Sequence, residues 1–279
     1  MWTVENRVRY NRDQLRYPSD LTDAEWSLVE PQIRPAKPGG NRRRVNVREV
    51  MNGILYVLST GCQWRAVPKD LPPYPTLFGY LDLWMYDGTL DDLHTALYDQ
   101  CRTQAGRNPE PTAAIIDSQS VQSAEKGGPR IDPAGYDAGK QIKGKKRHVL
   151  VDTQGLVLQA LVHPADIQDR DGGLYLLATR QKTFPKLKTL FADGAYQGPC
   201  FGQGVAALRG DLTVVIVKRP AGTKGFTVLP KRWIVERSLA WLNRCRRLAK
   251  DWENLNLKAL AFLRLASIRC MLRKLCNPK

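Results

Sequence analysis

The chain has 279 residues, 43% apolar and 25% charged, which fits a folded protein with a sizeable core and excludes a disordered or membrane-spanning one. Its charge is unusual: 43 Lys and Arg against 27 Asp and Glu leave +16 at neutral pH. Such a field gathers polyanions, since each cation that meets a phosphate releases condensed counterions; nucleic acid is the favoured partner class, a solvated basic surface the alternative. Six cysteines without a CxxC pair and only three histidines, at positions 94, 148 and 163, speak for reduced thiols and against zinc. Any catalytic metal must then be held by oxygen.

In chain order, residues 1–17 are polar and basic and read as a loosely held arm. "SDLTDAEWSLVEPQI" places Thr22 and Glu25 in capping-box spacing before a short helix stopped by Pro31. After the basic connector "RPAKPGGNRRR", "NVREVMNGILYVLSTG" has helical apolar spacing that ends near Gly61. "TLFGYLDLWMYDG" and "TLDDLHTALYDQCRTQ" add two helices, so residues 18–108 read as an all-α domain, either a helix-turn-helix-like DNA binder or a plain bundle.

Residues 109–279 read as an α/β domain. "TAAIIDSQSV", "KRHVLVDTQG" and "LVLQALVHPAD" are strand-like, the last two joined as a hairpin. A helix over "DRDGGLYLLATRQKTF", a strand in "LKTLFADGAYQG", a weak helix, a strand "LTVVIVKR" and a long helix over "PKRWIVERSLAWLNRCRRLAKDWE" follow. That is the element order of the ribonuclease H-like fold, a mixed five-stranded sheet with flanking helices, in which the first and fourth strands are neighbours.

Asp117 and Asp193 each end an apolar strand run. Either could cap a turn; as neighbours they would repel, and a divalent cation or a nearby Arg or Lys is what keeps both ionised. On the long helix, at about 100° per residue, Glu236 points away from the apolar side, in a stripe with Arg232, Asn243, Arg247 and Lys250. The stripe fits a solvated ion-pair face or a metal ligand flanked by phosphate clamps. Two Asp and one Glu without His form a hard donor set for Mg²⁺ or Mn²⁺, and two such ions would serve phosphodiester displacement.

The chain resembles the bacterial insertion-sequence transposases of the DDE type, the insertion-sequence-five group. The matching motifs are "GCQWRAVP", "AAIIDSQSV", "GYDAGKQIKGKKRHVLVDTQGLVL", "VHPADIQDRDGG", "ADGAYQG" and "KRWIVERSLAWLNRCRRLAKDWE". The resemblance implies Asp117, Asp193 and Glu236 as catalytic, metal-holding triad and a ribonuclease H-like domain behind a helix-turn-helix-like domain that binds terminal inverted repeats. It further implies cleavage of transposon ends, joining of the 3′-hydroxyl to target DNA, a homodimer on double-stranded DNA, and a cytoplasmic, nucleoid-associated location with no membrane. Where the insertion-sequence-four group has a Tyr and a Lys, this chain has Leu229 and Asn243, with Arg232 retained; the Lys contact to DNA passes to Arg244, Arg247 or Lys250. A nuclease or resolvase that cuts without joining, and a catalytically silent DNA-binding repressor, are the alternatives.

Further phosphate contacts are expected from Arg42, Arg43 and Arg44, from Arg65 beside Trp64, and from Lys140, Lys143, Lys145, Lys146 and Arg147 in a Gly-containing loop. Tyr136 could stack on a base or pack. His163 and Asp166, after the third strand, are expected to orient a metal ligand, with helix capping the other role for Asp166 or Asp169.

Overall fold

The computed structural model describes residues 3–35, 39, 43–128, 130–179, 184–218 and 231–277. A mixed sheet is its centre: β1 (Ala113–Gln122), β2 (Gly135–Asp137), β3 (Ile142–Asp152), β4 (Val157–Pro164), β5 (Thr189–Ala192) and β6 (Thr213–Ile216). β1 runs antiparallel to β3, with Asp117 opposite Val149, and parallel to β5, with Ile115 opposite Phe191; β6 extends the sheet parallel to β5. β4 and the short β2 both pair antiparallel with the other side of β3, at different levels. Six strands thus replace the expected five, because "GYD" is too short to leave a pattern in the sequence. The first and fourth of the expected strands, β1 and β5, are indeed neighbours.

Helices α1 (Val4–Arg9), α2 (Asp23–Val29), α3 (Val47–Thr60), α4 (Tyr74–Tyr86) and α5 (Thr89–Gln104) precede the sheet; α6 (Asp169–Thr179), α7 (Pro199–Leu208), α8 (Arg232–Leu242) and α9 (Asn256–Cys276) belong to its second half. Local chemistry sets several ends. Thr22 and Glu25 form the capping box of α2, and Gly61, at φ +70°, closes α3 in the left-handed region that favours glycine. α9 returns to pack on α5, α4, α3 and α2 and also on β4, so the amino-terminal helices and the sheet share one apolar core from Leu21 to Leu272. Across this junction the buried Asp152 takes the Arg102 guanidinium and, at 3.4 Å, the Tyr98 hydroxyl.

Two expectations change here. Residues 10–17 are tied to the body: Arg12 pairs with Glu25 at 2.7 Å and Arg16 with Glu49 at 2.6 Å. The long carboxy-terminal helix stops at Leu242, and the chain continues through a 3-10 turn, Arg246–Leu248, that buries Cys245 and Leu248.

Candidate active site

The parallel pairing of β1 and β5 ends at Ile115 and Phe191, and each acid lies two residues further on. Asp193 therefore leaves β5, whereas Asp117 lies inside β1, still paired with Val149, and not at a strand end as expected; both sit just past the last β1–β5 pair. Asp117 is half-buried, and its Oδ1 accepts the Ser118 N–H at 2.7 Å. Asp193 caps a 3-10 turn by accepting the Ala195 N–H at 2.8 Å, while its other oxygen faces Arg232 Nη2 at 3.7 Å. Turn capping and a role in the site are thus both open to one carboxylate.

Glu236 is presented by α8, and the same Arg232 nitrogen reaches its Oε1 at 3.2 Å. The β3–β4 hairpin docks this helix: Ser238 Oγ donates to the Gly155 carbonyl at 2.8 Å and Arg237 Nη2 to the Gln154 carbonyl at 2.9 Å. Gly155, at φ +86°, lies so close that a Cβ would come 2.7 Å from Ser238 Oγ. A glycine is required there on both counts.

Burial pushes the Asp117 carboxyl up to about 6; the Ser118 amide opposes the rise, Asp193 adds to it, and Arg232 and Lys140 lower it again. Loss of water is the main cause of the rise, and the Asp193 charge is a smaller one. Among the described residues no three Asp, Glu, His or Cys side chains are gathered closely enough to encircle an ion. The all-carboxylate donor set suits a hard divalent cation, with Arg232 standing between two of its members.

Side chains alternate along β1, so Ser118 and Ser120 point to the opposite face from Asp117. There Ser118 Oγ donates to Asp169 Oδ1 at 2.8 Å and Ser120 Oγ to Asp137 Oδ2 at 2.5 Å. The buried Lys146 ammonium binds Asp169 at 2.9 Å, faces Asp137 at 3.6 Å and donates to the Ile167 carbonyl at 2.8 Å. Burial works to raise both acids, but Lys146 and the serine hydroxyls hold them below the usual carboxylate range. His163 and His148 stack with ring nitrogens 2.8 Å apart, and burial drives the His148 imidazolium pKa down to about 3. His163 thus lies in a layer behind the acids, while Asp166 is exposed and abuts Gly135. Asp137 and His148 are not among the residues expected here, and Asp169 was expected only as a helix cap; the alternation of Ser118 and Ser120 was the available signal.

The expected phosphate contacts divide. Arg44, Arg65, Lys140, Lys143, Arg244 and Lys250 are exposed. Arg43 is half-buried and donates to the Arg34 carbonyl at 3.0 Å; Arg42 and Leu229 lie outside the described residues. Lys145, Lys146, Arg147 and Arg247 are buried, contrary to the expected open loop and helical stripe. Lys145 donates to the Asp132 and Pro133 carbonyls, Arg147 to the Leu248 carbonyl at 2.7 Å, and Arg247 pairs with Glu253 at 2.6 Å. Paired on both sides, β3 turns these cations inward, and the early end of α8 removes Arg247 from the stripe of Glu236. Trp64 packs edge-on to Phe78 beside them.

The family described as "Transposase DDE domain" matches residues 108–271, a span that holds all three acids, and "Putative transposase of IS4/5 family" matches residues 21–94. The chain belongs to the IS4/5-type DDE transposases. It is also similar to the "Insertion element IS402 uncharacterized 16.2 kDa protein" of Burkholderia cepacia, 32% identical over 113 residues, which are 38% of this chain and 76% of the relative. A DDE transposase domain implies a ribonuclease H-like fold and a nuclease or transposase activity, generally with divalent metal. Among the described residues no helix is long and apolar enough to cross a membrane.

Proposed function

We propose that this DDE transposase binds the terminal inverted repeats of an insertion sequence, cleaves its ends by metal-dependent phosphodiester hydrolysis and joins the freed 3′-hydroxyl to target DNA. The observation that supports this reading is that Asp193 and Glu236 share Arg232 while Asp117 lies on β1, the strand beside β5. Asp117, Asp193 and Glu236 would hold Mg²⁺ or Mn²⁺, which supplies Lewis acidity and a water or hydroxyl of lowered pKa at the scissile phosphate.

The chain's own groups do the rest. Arg232 balances the acids before substrate arrives and is free to turn to a phosphate once a cation takes over that balance. The exposed Lys140, which lies near enough to lower the Asp117 pKa, is placed to meet the same backbone. The amino-terminal helices, residues 18–108, read the repeat, and two copies act on paired ends as a homodimer.

The test is cleavage of a labelled duplex bearing the element's terminal repeat, with Mg²⁺ or Mn²⁺. Wild type should nick at the repeat boundary and join precut ends to a target, while Glu236→Gln should lose at least ~10³-fold in rate with DNA binding intact. Cutting without joining would favour the nuclease reading; binding without cutting by either protein would favour the repressor.

A further inference from the structure

The 3-10 turn that Asp193 caps ends on Tyr196, a residue outside the triad. Its N–H donates to the Asp193 carbonyl at 3.2 Å, so the turn ties the two residues together. The side chain is 1% exposed, and its ring lies edge-on to Phe201 of α7, with centroids 5.3 Å apart, and to His148 of β3, at 6.1 Å. α6 leaves room for it, since a Cβ at Gly173 would come 2.7 Å from Tyr196 Cε1. With the ring held by these neighbours, only the hydroxyl proton is free to turn.

That hydroxyl is buried and has no hydrogen-bond partner among the described residues. The Ser118 hydroxyl is close to it but out of hydrogen-bonding geometry, and gives its own proton to Asp169. A buried O–H without a partner costs free energy that a phenylalanine in the same place would not, so packing alone does not explain the oxygen.

Its surroundings narrow the use. Burial raises the phenol far above its usual range and keeps it protonated; of the charges that reinforce this, Asp117 comes first, ahead of Asp169 and Asp193. An uncharged donor thus sits among carboxylates. Asp169 already holds Ser118 and Lys146, and Asp193 holds the Ala195 N–H and faces Arg232. Asp117 takes the Ser118 N–H on Oδ1 and no other hydrogen bond or ion pair among the described residues. It is the acceptor short of a donor, and Tyr196 is the donor short of an acceptor.

We infer that Tyr196 is a positioning residue of the cation site: its O–H is held ready for Asp117 and fixes that carboxylate when it turns to hold a divalent ion. The inference rests on the proposed cation site and adds a donor behind one of its ligands.

The test compares the full chain with Tyr196→Phe, which keeps the ring, in denaturant unfolding with a chelator and across a Mn²⁺ titration. Without metal the variant should be at least as stable as wild type, since it loses an unpartnered group. Its Mn²⁺ dissociation constant, read from the stability gain, should rise about tenfold. Cleavage should need correspondingly more Mn²⁺ for half its maximal rate and recover most of that rate at saturation. A variant that is less stable without metal, or does not fold, would make the hydroxyl structural and overturn the inference, as would an unchanged Mn²⁺ dissociation constant. Wild type that does not respond to Mn²⁺ would instead remove the cation site itself.

Discussion

Asp117 keeps its charge against its surroundings. Its pKa of about 6 in the folded chain lies above the unfolded value, so the native state takes up the proton first. Stability of the metal-free protein therefore falls, through this group, as pH rises from about 4 to about 6, and the full penalty is present at neutral pH. Asp117→Asn should make the metal-free protein more stable by roughly 1–3 kcal/mol at pH 7, with the gain fading below pH about 4. Denaturant unfolding with a chelator at both pH values measures this, and a less stable variant at neutral pH would contradict it. The two aspartates were legible in the sequence because an acid closing an apolar run is a local anomaly, although β1 continues five residues past Asp117 to Gln122. Arg232 was legible as the neighbour of Glu236 on one helix face, but its reach to Asp193 was not, since that depends on how α8 is seated against the sheet.

At the scale of elements, the position of Glu236 depends on how the β3–β4 hairpin seats α8. Gly155→Ala combines a strained φ with a Cβ crowding Ser238, and should cost roughly 1–3 kcal/mol while lowering cleavage more than the unfolded fraction explains. Comparing the variant's melting curve with its rate at a temperature where it is fully folded separates the two effects. The β2–β3 segment gives a second prediction. Lys140→Ala and Lys143→Ala, both at exposed positions, should each flatten the salt dependence of DNA binding by about one phosphate contact. Lys145→Ala should act on stability instead, because its ammonium is buried against two carbonyls. The sequence separates these residues poorly: a run of five cations among glycines has the composition of a loop, and only the pairing of β3 with strands on both sides buries its last three, Lys145, Lys146 and Arg147. α8 shows the same effect in reverse. Its helical pattern continues past Leu242, but the helix stops there, and beyond it Cys245 and Leu248 are buried while Arg247 turns inward to Glu253.

For the whole molecule, the joint between the helical half and the sheet is polar at its centre. Asp152, fully buried, holds Arg102 of α5 and accepts the N–H groups of Gln154 and Leu156, each at 2.9 Å. Removing one partner strands the other, so Asp152→Ala or Arg102→Ala should cost about 3–5 kcal/mol; a loss under 1 kcal/mol would mean that the halves do not depend on each other here. The sequence marked the change from helices to strands near residue 109. It did not show that α9 crosses back to complete the helical layer, because an amphipathic helix does not name its partner.

The central claim is that three acids on three elements act as one cation site. The most direct measurement is the shift in unfolding stability on adding Mn²⁺ to metal-free wild type, Asp117→Asn, Asp193→Asn and Glu236→Gln. Wild type should gain about 2.7 kcal/mol when the ion stands at a hundred times its dissociation constant, and each variant should lose most of that gain. A wild-type response that persists in all three variants would place the ion elsewhere and contradict the account.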